Sequence, residues 1–317
     1  MRDQILQQAI VDTLAYFAIF NFALTREELW HNLFFVSGVE REITFDNFVK
    51  NLVFLLSEKE IETKHNFYFL PGRESDYYNR QNSVKFVEQK MKIAHLAIKK
   101  IRSIPFVRAV FLCNTVAGST VTADSDIDVF IIVGKNRIFL TRFLVTFILS
   151  IFGLRRHGEK VKDRICLSFY TTEDNLGLSK IALDRPDIYL LYWLDQLVPF
   201  YDEDAWLKKI QQKNNWVKRS LPNAFSDFDL IEKFRVHDSR VGNVFKKIFE
   251  KMWIGTYGDI VEKQAKKMQL TKMRKNTYSK QNESDTKVII SDKMLKFHEN
   301  DRRELFQTKW KKTRKVL

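Results

Sequence analysis

Two carboxylates open an apolar run near the middle of the chain. Asp126 and Asp128 lie in SDIDVFIIV, residues 125–133, a pattern typical of a buried strand. Side chains two residues apart point to the same face of a strand, so the carboxylates should converge while Ile127 and Val129 face the core. Two ionised carboxylates about 7 Å apart repel each other unless a cation lies between them. Because Mg²⁺ favours carboxylates together with phosphate oxygens, the pair predicts a Mg²⁺ or Mn²⁺ site that acts on a nucleoside triphosphate (NTP).

The sequence of this pair is open to two other interpretations. Solvated residues at the edge of a strand would have the same sequence, and this alternative stays open. The stretch DSDID also suggests a calcium loop, but the sixth position of such a loop needs glycine and is Val129 here. A calcium loop is therefore excluded.

The order of elements around the pair resembles a known superfamily. Over residues 84–200 the order is helix, strand, short connector, SDIDVFIIV, helix, strand, which resembles the nucleotidyltransferase superfamily related to DNA polymerase beta. The series CNT, SDID, RRHG and CLSF also resembles uncharacterised bacterial proteins that join a winged helix to such a domain. The resemblance implies that Asp126 and Asp128 bind NTP and Mg²⁺ and catalyse nucleotidyl transfer to a hydroxyl of a protein, an RNA or a small molecule.

In that superfamily a Gly-Ser pair after the first strand binds phosphate. Gly118-Ser119 matches by residue type but lies close to Asp126, whereas alignment at the family's spacing places the pair on Asn114-Thr115. Thr115 keeps the hydroxyl, and asparagine tolerates unusual backbone angles. The Asn-Thr alignment is preferred, so Asn114 and Thr115, with Ser125 at the start of SDID, are the expected nucleotide-binding residues.

The family's third aspartate has no counterpart on the following strand, ICLSFYTT. The polar position expected there holds Ser168, with Asp163 before the strand and Glu173 after it as possible substitutes. Loss of a general base typically costs about 10²–10⁴-fold in rate. This departure favours the alternative function, a catalytically degenerate fold that regulates or binds nucleic acid.

A basic cluster, RRHGEK, follows the central apolar helix. Arg155, Arg156, His157 and Lys160 could hold a triphosphate or a nucleic-acid phosphate. Cations at the end of a helix also complement its dipole, so a purely structural role stays open. A catalytic role for His157 as a base is the weaker interpretation.

The first 75 residues resemble a winged helix. Thr25 with Glu28 predicts a capped second helix, Thr44 predicts the start of a third, and two short β-prone stretches flank His65-Asn66. The third helix is nearly neutral, which suits packing or partner docking as well as it suits DNA binding.

The predicted fold is α+β and has four parts. They are a winged helix over 1–75, a nucleotidyltransferase-like mixed sheet flanked by helices over 76–215, a helical extension over 216–269, and a basic linker and tail over 270–317. Of the net charge of +14, residues 261–317 supply +10, from 17 Lys/Arg and 7 Asp/Glu. An anionic partner, RNA or DNA, is therefore expected at this tail, and binding to anionic lipid is a weaker alternative.

The composition limits the cellular compartments in which this protein is expected. Two cysteines, Cys113 and Cys166, are too few for a disulfide framework and predict buried thiols in a reducing environment. The first twenty residues lack a cleavage site, and the apolar run 143–154 is shorter than the roughly 20 residues of a transmembrane helix. A bacterial cytoplasmic protein without a membrane span is expected.

Overall fold

Helices and two β-sheets make up the chain, so the predicted α+β class is confirmed. The computed structural model describes residues 2–38, 43–114, 118–183, 186–226, 230–274, 287–297 and 301–315. All structural statements refer to these ranges.

Three helices and a small sheet form the N-terminal part. Its elements are α1 (Arg2–Ala18), β1 (Leu24–Thr25), α2 (Arg26–His31), α3 (Phe45–Ser57), β2 (Glu62–Lys64) and β3 (Phe67–Phe69). Thr25 and Glu28 form the predicted capping box at the start of α2, and Thr44 caps α3. The strands lie in the order β1-β3-β2, and the β2–β3 turn places His65 and Asn66 at positive φ.

The second sheet carries the candidate site. The elements in chain order are α4 (Ser75–Ile101), β4 (Val107–Leu112), β5 (Ile127–Val133), α5 (Ile138–Ile151), β6 (Ile165–Thr172), α6 (Ile188–Asp195), β7 (Val198–Tyr201), α7 (Trp206–Lys213), α8 (Arg240–Met252), α9 (Thr256–Arg274), β8 (Val288–Ile290), β9 (Met294–Phe297) and α10 (Arg303–Lys315). The strand order is β7-β4-β5-β6-β9-β8. Only β5 and β6 pair in parallel, and α5 connects them.

Strand β5 is apolar on both faces because the sheet separates two hydrophobic layers. Val129 and Ile131 pack in the layer that includes α4 and α5, and Phe130 and Ile132 pack in the layer that includes α1 and α6. Such a strand has a continuous apolar run instead of an alternating one. Asp128 is the polar exception near its start.

The apolar helix α5 covers one face of the sheet. It buries Phe139, Val145 and Leu149 completely and leaves Phe147 half exposed. No helix within the described ranges is both long and apolar enough to span a bilayer.

Strands and a helix occupy the described part of residues 270–317, the predicted basic linker and tail. Strands β8 and β9 extend the central sheet, with β9 pairing antiparallel to β6. Helix α10 packs on α1, where Trp310 is buried and its Nε1–H donates to the Asp12 carbonyl at 2.9 Å. Lys309, Lys311 and Lys312 of α10 are exposed, whereas Arg303 is buried and Arg314 pairs with Asp12. Residues 275–286, 298–300, 316 and 317 of the predicted tail fall outside the described ranges.

Asp12→Asn should stabilise the chain at neutral pH. Burial raises the pKa of Asp12 from 3.8 to about 6, despite hydrogen bonding to Gln8 and the charge of Arg314. The folded state then holds a proton that the unfolded state releases, so the stabilising contribution is complete below pH 3.8 and is lost as pH rises through about 6. At about 1.4 kcal/mol per pKa unit, the difference at pH 7 is at most about 3 kcal/mol.

Urea denaturation of both proteins at pH 4 and pH 7 measures this effect. We expect equal stability near pH 4 and a more stable variant at pH 7. A wild type that is more stable at pH 7 would mean that the Arg314–Asp12 ion pair, 2.7 Å long, outweighs the cost of burial.

Candidate metal-binding cleft

Two carboxylates and one thiol converge at the start of the parallel strand pair. Asp126 precedes β5, Asp128 lies on β5 and Cys166 lies on β6. One ligand atom from each lies within 4.8 Å of the other two. The Cα atoms of Asp128 and Cys166 are partners in the β5–β6 ladder. The carboxylates thus converge as their spacing predicts, and a donor set suited to a divalent cation results.

A β-bulge explains why the third ligand was missed. Asp128 is opposite Cys166, but Phe130 is opposite Phe169, so β6 holds one extra residue in this interval. Ser168, the position where the sequence suggested a third carboxylate, lies in the bulge. Ser168 is buried and lines the cleft, and its side chain interacts with the neighbouring Cys166 thiol. The apolar run ICLSFYTT carries no mark of this extra residue, so the sequence does not show that Cys166 lies opposite Asp128.

Asn114 lies directly beside the pair. Its φ of +57° lies in the left-handed region of backbone conformation, which asparagine tolerates better than most other residues with a side chain. Its Oδ1 accepts a hydrogen bond from the Tyr189 hydroxyl at 2.8 Å, and its side chain hydrogen-bonds Asp128. Thr115 lies outside the described residues. Of the alternative pair, Gly118 lines the cleft.

A buried lysine fixes the loop that carries Asp126. Lys90 on α4 is fully buried and donates to the carbonyls of Ala123 and Ser125 at 3.1 and 2.5 Å and to Asp163 at 2.7 Å. The Ser125 hydroxyl contacts Thr122 at 3.0 Å and does not line the cleft. Asp163 therefore serves Lys90, and Ser125 shapes the loop.

The basic cluster divides between the cleft and the surface. Arg156 Nη1 donates to Asp126 Oδ2 at 2.6 Å and lies 3.9 Å from Cys166 Sγ. Arg155 and His157 also line the cleft, whereas Lys160 pairs with the His157 backbone in a surface turn. Glu173, the other candidate carboxylate, binds Arg108 at 3.0 Å, away from the cleft. The structure thus brings Arg155, Arg156 and His157 to the pair and leaves Lys160 and Glu173 out.

The cleft has a volume of about 940 Å³ and a cationic lining. Its charged lining residues are six cations, Arg142, Arg155, Arg156, Lys296, Arg302 and Arg303, and three carboxylates, Asp126, Asp128 and Asp301. Arg155 and Arg302 have no carboxylate partner within the described ranges. Such a lining suits a polyanion.

Residues of the C-terminal segment form one wall of the cleft. Arg303 donates to Asp187 at 2.8 Å and to Asp301 at 2.9 Å, and Lys296 donates to Asp301 at 2.9 Å. All four side chains are almost fully buried. Asp187 also caps α6, so this network joins the C-terminal segment to the helix that carries Tyr189.

Aromatic rings form another part of the lining. Tyr189 stacks on Phe306 with ring centroids 5.4 Å apart, and the ring of Phe20, two residues after α1 ends, lies 5.1 Å from that of Phe306. Trp193 adds a further ring. A flat base could stack on such a surface, since aromatic faces accept any base.

Burial changes the acidity of the site. Burial, with repulsion from Asp126, raises the pKa of the Asp128 carboxyl to about 6. Burial also raises the pKa of the Cys166 thiol, and the charges of Asp128 and Asp126 raise it further. Desolvated negative charge of this kind is relieved by a bound cation.

Comparisons of the chain with protein-family models, curated proteins and solved structures gave no match. The resemblance to nucleotidyltransferases therefore depends on the sequence motifs alone.

Lys90→Met should destabilise the fold and loosen the Asp126 loop. The change leaves Asp163 and two carbonyls without their buried donor, which typically costs about 3–5 kcal/mol. Urea denaturation measures the stability, and amide hydrogen exchange over residues 121–126 measures the loop. Lys92→Met on the same helix, where the side chain is 65% exposed, is the control and should change stability by less than about 0.5 kcal/mol. Equal effects of the two substitutions would contradict the proposed clamp.

Proposed function

We propose that the chain binds a nucleoside triphosphate and a divalent cation in this cleft and transfers a nucleotidyl group to a hydroxyl acceptor. The observation that carries the proposal is the convergence of Asp126, Asp128 and Cys166 within 4.8 Å inside a cationic cleft. The proposal includes a nucleotidyltransferase-like fold for the central sheet and a winged helix for residues 1–75.

Each part of the cleft has a role in this proposal. Asp126 and Asp128 would hold Mg²⁺ or Mn²⁺, and the cation would neutralise the phosphate oxygens. Arg155 and Arg302, which lack carboxylate partners within the described ranges, would bind phosphates, and the rings of Tyr189 and Phe306 would stack on the base. Asn114 orients Asp128 through their hydrogen bond.

The transfer step itself is a displacement at phosphorus. The acceptor oxygen forms a bond to the α-phosphorus, the bond to pyrophosphate breaks, and the hydroxyl proton passes to solvent water. The other cleft carboxylate, Asp301, is neutralised by Lys296 and Arg303. Asp301 is therefore not available as a general base. We expect firm nucleotide binding with slow transfer, because general-base help typically raises a reaction rate about 10²–10⁴-fold.

Arg156 supports a second candidate function. Its guanidinium already balances Asp126, the place where a cation would bind. Its side chain is 45% exposed, so it can turn toward a phosphate when a cation enters. If it stays, the arginine replaces the cation, and the chain is a catalytically degenerate regulator or nucleic-acid-binding protein.

The nucleic-acid alternative is tested on the exposed face of α10. Truncation near residue 269 would remove β8, β9 and α10 from the fold, so charge substitution is the cleaner design. Lys309→Glu/Lys311→Glu/Lys312→Glu changes three exposed residues. A large loss of salt-sensitive RNA or DNA affinity in this variant would favour the regulator.

Asp126→Asn/Asp128→Asn should abolish cation-dependent nucleotide binding. Calorimetry with ATP and Mg²⁺ or Mn²⁺ should show at least about a tenfold loss of affinity, because both charged ligands are removed. Asp124→Asn, two residues away and 88% exposed, is the matched control and should bind as the wild type does. Equal binding by the double variant, with its fold verified by circular dichroism, would reject the proposal.

Cys166 should shift the preference of the site toward softer cations. Thiolates favour Zn²⁺ or Co²⁺ over Mg²⁺ relative to an all-oxygen site. Cys166→Ser should lower the ratio of Zn²⁺ to Mg²⁺ affinity and remove the thiolate-to-cobalt absorption band, and Cys166→Asp should favour Mg²⁺. Cys113→Ser, a buried cysteine outside the cluster, is the control. Unchanged ratios in both Cys166 variants would exclude the thiol as a ligand but leave the carboxylate site intact.

A further inference from the structure

Helix α8 turns its apolar stripe toward solvent. Its large apolar side chains recur at i, i+3, i+4, i+7, i+8 and i+11 and form one face. They are Val241, Val244, Phe245, Ile248, Phe249 and Met252, each 37–67% exposed. A surface helix ordinarily buries this stripe against the core. Here it faces outward.

The opposite, polar face of α8 holds the helix to the protein. Lys246 is buried and donates to the Tyr201 hydroxyl at 2.9 Å and to the Arg102 carbonyl at 3.3 Å. Glu250 accepts from the Phe106 amide at 2.6 Å and from Arg108 at 2.8 Å. These buried polar contacts fix the rotation of the helix, so the outward stripe is a defined feature of the fold.

The exposed stripe continues past the end of α8. Ile254, Tyr257 and Ile260 follow with 49–67% exposure, which makes nine large exposed apolar side chains between residues 241 and 260. A patch of this kind marks an interaction site. The sequence of residues 275–286 contains a single apolar side chain, Tyr278, so that segment has no apolar face with which to cover the patch.

The charges around the patch select the partner. The exposed charged side chains between residues 240 and 260 are three cations, Arg240, Lys247 and Lys251, and one carboxylate, Asp259, which Arg137 neutralises at 2.8 Å. A second copy of the chain placed on this face would bring like charges together. An anionic partner with an apolar interior fits both features.

We propose that the outer face of α8 docks on an anionic lipid surface. The apolar stripe enters the boundary between headgroups and acyl chains, and Arg240, Lys247 and Lys251 contact the anionic headgroups, as interfacial amphipathic helices do. The helix lies in the plane of the surface, and its polar face keeps its contacts with the protein. The proposal is independent of the nucleotide site.

Vesicle flotation of the full chain tests the proposal. The probes are vesicles of phosphatidylcholine alone and vesicles that also contain phosphatidylglycerol. Wild-type protein should float with the anionic vesicles, and less so as salt rises. Phe245→Ser/Ile248→Ser should lower binding at least about tenfold, because it removes two inserting side chains. Lys247→Glu/Lys251→Glu should remove the preference for anionic lipid.

A matched control distinguishes binding by this face of α8 from nonspecific hydrophobic binding. Val53→Ser/Phe54→Ser removes two apolar side chains of α3 that are 59% and 46% exposed, and it should float as the wild type does. Flotation of the α8 apolar variant at the wild-type level, or no flotation of the wild type, would overturn the proposal. A dimer in sedimentation that the same variant converts to monomer, without vesicle binding, would assign the face to a second copy instead.

Discussion

The parallel pairing of β5 with β6 is the constraint on which the candidate site depends. It places Asp128 opposite Cys166 and keeps Asp126 beside them, at the edge of a strand that is otherwise buried on both faces. Two acidic groups in this position carry a desolvation cost. The surroundings compensate with positive charge, from Arg156 at contact distance and from the cations that line the cleft.

The local contacts of the cleft serve rigidity more than recognition. Lys90 holds the Asp126 loop through two carbonyls and Asp163, and Arg303 joins the C-terminal segment to the start of α6. Both cations are buried and fully engaged. The groups left for a ligand are the convergent acids, the aromatic rings, and Arg155 and Arg302, which have no carboxylate partner among the described residues. The scaffold and the binding groups are therefore separate sets of residues.

Local features of the sequence were predictable, and non-local ones were not. The β5 run, the Thr25–Glu28 cap and the left-handed Asn114 depend on neighbouring residues, and the structure has each of them. Cys166 was missed because a bulge shifts the β6 register, which strand periodicity cannot reveal. The strands β8 and β9 were missed because they are only three and four residues long, and because β9 pairs with β6, more than 100 residues away in the chain. The spacing of apolar residues in α8 identifies the stripe, but it does not show which face of the helix contacts the rest of the protein.

The C-terminal segment has a consequence for how the cleft is made. Its β9 strand and α10 helix supply cations and two aromatic rings, Phe297 and Phe306, to the wall, and α10 docks on α1. During synthesis α1 leaves the ribosome long before α10 is made. The apolar surface of α1 that α10 covers therefore stays exposed until the residues around Trp310 have been synthesised. The binding groups on β5 and β6 therefore emerge early, but a nascent chain cannot enclose a ligand in the cleft until α10 has left the exit tunnel.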